Sequence, residues 1–294
     1  MREVNGTRDQ ADGLRKSLGG RPVKVIAVTG GKGGVGKTNV TANLGIALAR
    51  RRQRVLLLDA DLGLANLDVL MGLRARDNLS HVLDGTRSLD DIIVTGPAGV
   101  AVVPGASGLR RLLALERRQQ VGLIHAFSEL TRDIDVLLID TAAGLGDSVL
   151  DFCRAAQRVM VVVCDEPPAI TDAYALVKVL SREFGVRSFE VLANMTRGTG
   201  EGAALHEKLS RVADRFLDVH LSYAGEIPYD ERLREAVRRQ VAVTDAFPDS
   251  PVSLAFDGLA RRIEAWTVPQ HPSGHIEFFM ERLLAASRAG GILQ

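Results

Sequence analysis

The sequence predicts an α/β fold: one doubly wound, mostly parallel sheet with helices on both faces. Three observations carry this. Short apolar, β-branched runs alternate with longer segments of helical periodicity. The runs lack the polar alternation of half-exposed strands, as strands buried on both faces do. A glycine-rich loop joins the first run directly to the first helical segment.

The candidate strands are the runs at 23–30 (VKVIAVTG), 54–61 (RVLLLDAD), 99–105 (GVAVVPG), 134–142 (IDVLLIDTA), 158–166 (RVMVVVCDE), 189–195 (FEVLANM) and 223–228 (YAGEIP). Helices are predicted at 37–52, 109–131, 146–155, 169–184, 201–218 and 251–265, each starting or ending near Gly, Pro, Ser or Asp. There is no internal repeat or low-complexity tract. Residues 22–268 therefore form one expected domain, with an N-terminal segment and linker at 1–21 and a C-terminal helix within 269–294.

Composition narrows the function classes. With 46% hydrophobic and 25% charged residues, the 294-residue chain can bury a core, and disorder is not the default. Lys and Arg number 37 against 36 Asp and Glu, so no bulk charge draws nucleic acid or anionic lipid. Cys153 and Cys164 form no CxxC pair, and the 6 histidines show no ligand spacing; buried thiols and no protein-built metal cluster are expected. The first twenty residues are polar, and no apolar run approaches the ~18 residues of a membrane span, so a cytoplasmic location is expected. No Ser/His/Asp set, Cys/His set or carboxylate pair suggests a covalent nucleophile or glycosidase chemistry.

The stretch GGKGGVGKT places Gly31, Gly36, Lys37 and Thr38 at the spacing G-x-x-x-x-G-K-[ST], between a strand and a helix. Residues Gly31, Gly33, Gly34, Val35, Gly36, Lys37, Thr38 and Asn39 are thus the candidate phosphate cradle. Backbone N–H groups would curl around phosphate oxygens, Lys37 would reach the β- and γ-phosphates, and Thr38 would ligate Mg²⁺. Lys32 is a second lysine in the loop, able to meet the phosphates of its own nucleotide or of a facing subunit. The run LLLDADLGLANLD brings Asp59 and Asp61 to a strand end beside the loop, where open α/β sheets bind ligands. In DVLLIDTAAG, Asp140 follows four apolar residues, the pattern of a carboxylate that holds Mg²⁺ through water. A GTPase would carry [NT]KxD at the end of a late strand; LANMTRG stands there instead, which favours ATP.

KGGVGKT resembles the deviant phosphate loop of the ParA/MinD ATPases, and the resemblance spans about residues 22–268. It implies a slow, Mg²⁺-dependent ATPase that is stimulated on dimerisation or by a partner. The dimer would sandwich ATP, with Lys32 acting on the partner's nucleotide. It further implies that Asp61 orients the attacking water, with Asp59 in the Mg²⁺ shell and Asn66 near phosphate or water. Asn194 would bond adenine, Pro228 and Asp230 would pack on the base, and Glu166 would touch the opposite nucleoside.

Two appendages separate subfamilies. At 276–284, Ile276, Phe279, Met280, Leu283 and Leu284 form one apolar helical stripe. Two readings stay open for it: a weak membrane tether, or a helix docked on its own domain. Near the start, DQADGLRKSL carries Ala11, Leu14 and Leu18 on one helical face, with Gly13 costing roughly 1 kcal/mol. Such a segment folds only against a surface. DQADGLR together with GGKGGVGKTN, DADLGLANLD, DTAAG, CDEP and the FFMERL helix resembles the flagellar-number regulators FlhG/FleN. That resemblance implies engagement of the GTPase FlhF by the N-terminal segment, restraint of a flagellar master transcription activator, contact with flagellar C-ring proteins, and a polar location with peripheral membrane contact. The alternatives are a MinD-like division-site regulator, a ParA-like partitioning ATPase and an iron–sulfur carrier. Arginine clusters at 50–54, 109–120 and 232–239 are explained equally well as solvated helix faces, and no direct nucleic-acid contact is expected.

Overall fold

The computed structural model describes residues 23–61, 66–105, 125–127, 129–130, 133–267 and 279–284. The DQADGLRKSL segment, Ile276 and almost all of the helix predicted at 109–131 lie outside them.

The strands are β1 (Lys24–Thr29), β2 (Val55–Ala60), β3 (Val94–Thr95), β4 (Ala101–Val103), β5 (Val136–Thr141), β6 (Arg158–Val163), β7 (Ser188–Thr196) and β8 (His220–Pro228). They form one sheet in the order β3-β4-β2-β5-β1-β6-β7-β8. Every pairing is parallel except β3 with β4. All seven expected strands are present. The two-residue edge strand β3 is too short to leave a periodic signal.

Helices α1 (Lys37–Arg50), α2 (Leu67–Leu70), α3 (Leu79–Leu83), α4 (Leu89–Ile92), α5 (Asp147–Ala155), α6 (Pro167–Arg182), α7 (Glu201–Phe216), α8 (Glu231–Arg238), α9 (Val243–Ala246) and α10 (Pro251–Glu264) cover the sheet. Those from the expected set start and stop within a few residues of prediction. The short α2, α3, α4, α8 and α9 were not foreseen, because one or two turns do not establish a 3.6-residue period.

Alternation along β1 shows how the faces divide. Ile26 and Val28 join the core under α1 and α10, with Leu44, Leu57, Leu138, Phe256 and Ile263. Val25 and Ala27 point to the other face, into cores containing Phe152 and Leu176 respectively. Each Val, Ile, Leu or Phe among them contributes about 1.5–3 kcal/mol on burial. Gly45 lets α1 approach the sheet: a Cβ there would stand 2.8 Å from Leu57 Cδ2.

Residues 279–284 are helical, and Phe279, Met280, Leu283 and Leu284 are 0–4% exposed. They pack with Val25, Leu56, Phe127 and Phe152. Of the two readings of the C-terminal stripe, the structure shows the docked one for these four residues.

Candidate nucleotide-binding site

The loop after β1 leaves the middle of the sheet at its carboxyl edge and turns into α1. Gly34 and Gly36 adopt φ +82° and +91°, the left-handed region that glycine enters without strain. A Cβ at Gly33 or Gly34 would meet nothing within 4 Å, so the loop rim is open. Gly31 serves a different purpose. A Cβ there would lie 2.2 Å from the Asp172 carbonyl, so it is close packing of α6 that demands glycine. No side chain caps α1, and its first turn holds no acidic residue. The amide groups and the positive end of the helix dipole are therefore available to an anion.

Lys37 is 8% exposed, and its Nζ donates to the Lys32 carbonyl at 3.5 Å. Burial lowers its pKa, against the opposing pull of Asp140 and Asp61. Pairing of β2 with β5 sets Asp59 opposite Asp140. Asp140 is 1% exposed and pushed up to about 7, chiefly by burial; hydroxyl groups of Thr38 and Thr41 oppose the shift. Thr41 Oγ1 lies 3.3 Å from Asp140 Oδ1 and 3.0 Å from the Lys37 carbonyl. Sequence reasoning missed Thr41, although its i+4 spacing from Lys37 places it on the same helical face.

Asp59 is also pushed up, to about 6, by burial. Its carboxylate accepts backbone N–H groups of Asp61 (3.1 Å), Asn66 (2.9 Å) and Leu67 (3.1 Å). It therefore organises the turn into α2 in the structure, a strand-end cap. Asn66 contributes its backbone amide to that cap. Asp61 sits half-buried at the mouth, close enough to act on the charge of Lys37.

On the far side of the loop, Asn194 at the end of β7 is 3% exposed, and its Nδ2 donates to the Val35 carbonyl at 2.7 Å. Asn39 places Oδ1 in the interior without a partner. Pro228 ends β8. Asp230 Oδ1 caps α8 through the Arg232 amide at 2.9 Å, while its Oδ2 is buried without a partner. Lys32 Nζ pairs with Glu166 Oε2 at 3.2 Å. The structure thus brings Lys37, Thr38, Asp59, Asp61 and Asp140 together, with Asn194 against the loop and Lys32 and Glu166 at the rim.

Among the described residues, no three Asp, Glu, His or Cys side chains converge on a metal position. Cys153 and Cys164 are free thiols held high by burial. The arginines at 50–54 are largely neutralised within the domain. Arg50 pairs with Asp245, Arg51 with Asp257 and Glu264, and Arg54 with Asp133 and Asp135. No described helix is long and apolar enough to cross a membrane.

A parallel sheet carrying this loop, this lysine and this carboxylate pair defines a nucleotide-binding protein of the MinD/ParA class. The profile "CobQ/CobB/MinD/ParA nucleotide binding domain" matches residues 26–263. The chain is 56% identical over 269 residues to antiactivator FleN of Pseudomonas aeruginosa, covering 92% of this chain and 96% of that one. It is 33% identical over 266 residues to the flagellum site-determining protein YlxH of Helicobacter pylori, covering 89% and 90%. Among solved structures, the MinC:MinD cell division protein complex of Aquifex aeolicus superposes with a TM-score of 0.66 at 26% identity, over 85% of this chain and 98% of that one. MinD of Pyrococcus horikoshii complexed with Mg-ADP does so with a TM-score of 0.63 at 26% identity, over 83% and 96%. The chain belongs to the MinD/ParA nucleotide-binding family and, within it, to the FleN/FlhG branch of flagellar-number regulators.

Proposed function

We propose that the chain is an ATP-operated switch that limits flagellar number as an antiactivator. The observation that carries the reading is the open, glycine-lined loop feeding an uncapped helix N-terminus, with buried Lys37 and Asp140 and half-buried Thr38 together beside it.

ATP fits these groups. The loop amides and Lys37 would hold the phosphate chain, and Asn194, Pro228 and Asp230 would border the base. Thr38 and Asp140 would hold Mg²⁺, which neutralises phosphate charge when bound, the remaining ligands being phosphate and water. Asp59 would support that shell indirectly, by fixing the turn that carries Asp61. Asp61 would orient water for attack. Catalysis by positioning and electrostatics alone is slow until another group completes the site. Lys32 would supply that group across an ATP-dependent homodimer, and Glu166 would meet the partner's nucleoside. The relative named antiactivator supports the regulatory half of the reading.

The switch would restrain a flagellar transcription activator, engage the GTPase FlhF through residues 1–20, and contact flagellar C-ring proteins. It would reside in the cytoplasm, towards the pole. Membrane attachment by the C-terminal stripe would require Phe279, Met280, Leu283 and Leu284 to leave the core. A DNA-partitioning role is disfavoured by the internal pairing of Arg50, Arg51 and Arg54.

Isothermal titration of ATP·Mg²⁺ tests the reading. Lys37→Ala should lower affinity by about 100-fold or more while keeping a cooperative melt. Wild-type affinity in that variant would contradict the assignment.

A further inference from the structure

One buried hydrogen bond joins the base side of the site to the phosphate loop. Asn194 Nδ2 donates to the Val35 carbonyl at 2.7 Å, and the asparagine is 3% exposed. The partner dictates which way the amide faces: a carbonyl oxygen only accepts, so the nitrogen turns to Val35. The approach is close. A Cβ at Gly36 would stand 2.4 Å from Asn194 Nδ2, so this contact and φ +91° both demand glycine at 36. The Cys164 thiol approaches the same carbonyl at 3.8 Å, and the Val35 side chain is 4% exposed.

Peptide planarity converts this bond into a constraint on the loop. In a trans peptide the carbonyl of Val35 and the N–H of Gly36 point in opposite directions. Holding the oxygen on β7 therefore turns the Gly36 N–H away from β7. Neither φ of Gly36 nor the open loop rim supplies such a restraint, since glycine leaves the peptide free to flip.

We infer that Asn194 is a positioning residue for the phosphate loop, fixing the Val35–Gly36 peptide so that the loop is shaped for phosphate before any base arrives. The inference rests on the reading of this site as an ATP site, and goes beyond it by giving Asn194 a role that needs no base. β7 provides the rigidity. Strand alternation sets Asn194 on the same face as Leu192, the face that also carries Val35, and the register shifts just beyond it, with Met195 at φ +61°.

A ligand without a base separates this role from a base contact. Titrations would use inorganic tripolyphosphate with Mg²⁺, and ATP with Mg²⁺, on wild-type protein, Asn194→Ala and Asn194→Asp. Asn194→Ala should weaken both ligands by a similar factor, about 5- to 30-fold, as expected for a lost buried hydrogen bond. Asn194→Asp, which sets an acceptor against the Val35 carbonyl, should weaken tripolyphosphate further. In the ligand-free protein, amide hydrogen exchange at residues 35–37 should quicken in both variants. If Asn194→Ala does not fold, Asn194→Ser serves the same comparison. Unchanged tripolyphosphate affinity beside weakened ATP would overturn the inference and leave only a base contact. Wild-type protein that binds ATP but no tripolyphosphate would also count against it. Wild-type protein that binds neither would instead defeat the ATP reading on which it rests.

Discussion

Lys32 Nζ and Glu166 Oε2 stand 3.2 Å apart, so the extra lysine of the phosphate loop is engaged within its own chain. Their side chains are 40% and 63% exposed, and a solvated pair of this kind is worth at most about 1 kcal/mol. Such a pair is easily exchanged for another partner. Glu166→Gln should leave stability within about 0.5 kcal/mol of wild type in chemical denaturation. If Lys32 acts across the proposed dimer, Lys32→Ala should keep ATP affinity within a few-fold while lowering hydrolysis by about 100-fold or more, because only the reaction would require its charge. Equal losses in binding and turnover would show that Lys32 serves its own subunit's nucleotide.

Asp140 gives the protein a testable pH dependence. Its folded pKa is raised to about 7, above the unfolded value of about 3.9. The folded state therefore binds more protons between about pH 4 and 7, and stability falls as pH rises through that window. In metal- and nucleotide-free protein, Asp140→Asn should flatten this slope, most clearly above pH 6 where the raised carboxyl of Asp59 no longer contributes, and raise stability at pH 8 by about 1–3 kcal/mol, several degrees in Tm. An unchanged pH dependence in the variant from pH 5 to 8 would contradict a carboxylate whose burial outweighs its hydroxyl and lysine partners.

The docked C-terminal stripe predicts a stability effect where a pure membrane anchor predicts none. Phe279 is 0% exposed within the core that contains Val25, Leu56 and Phe152. Phe279→Ala should cost about 3–5 kcal/mol in the soluble protein, measured by denaturant unfolding. A cost below about 1 kcal/mol would mean that the stripe does not pack there in solution.

Deletion of residues 1–20 should leave basal ATP hydrolysis unchanged, because every group of the proposed site lies beyond them. Co-precipitation with FlhF, the partner proposed for this segment, should be lost. Retained FlhF binding would place that contact elsewhere on the chain.

How much of this was legible in the sequence varies with the physics of each element. The parallel strands were visible because burial on both faces makes their composition continuous. Lys37 and Thr38 stood out by the spacing of the glycine-rich loop and Asp140 by the apolar run before it, and the fold brings the three together. The contact of Asn194 with Val35 was not, since strand alternation gives the face on which Asn194 lies but not the loop carbonyl that it meets there. Resemblance gave Asp59 and Asp61 different roles, but nothing in the sequence showed that three backbone amides converge on Asp59 while Asp61 stands at the mouth. The stripe from Phe279 to Leu284 was evident as apolar, but periodicity does not name the surface that covers it. Gly31 carried the spacing of a phosphate loop, while its structural requirement comes from the backbone of Asp172 in another helix.

In the proposed switch, ATP drives assembly and Asp61 acts only in the hydrolysis that ends it. Light scattering on Asp61→Ala protein in saturating ATP and Mg²⁺ tests this most directly. A persistent dimer that reverts to monomer when nucleotide is removed is expected; a monomer under saturating ATP would rule the switch out.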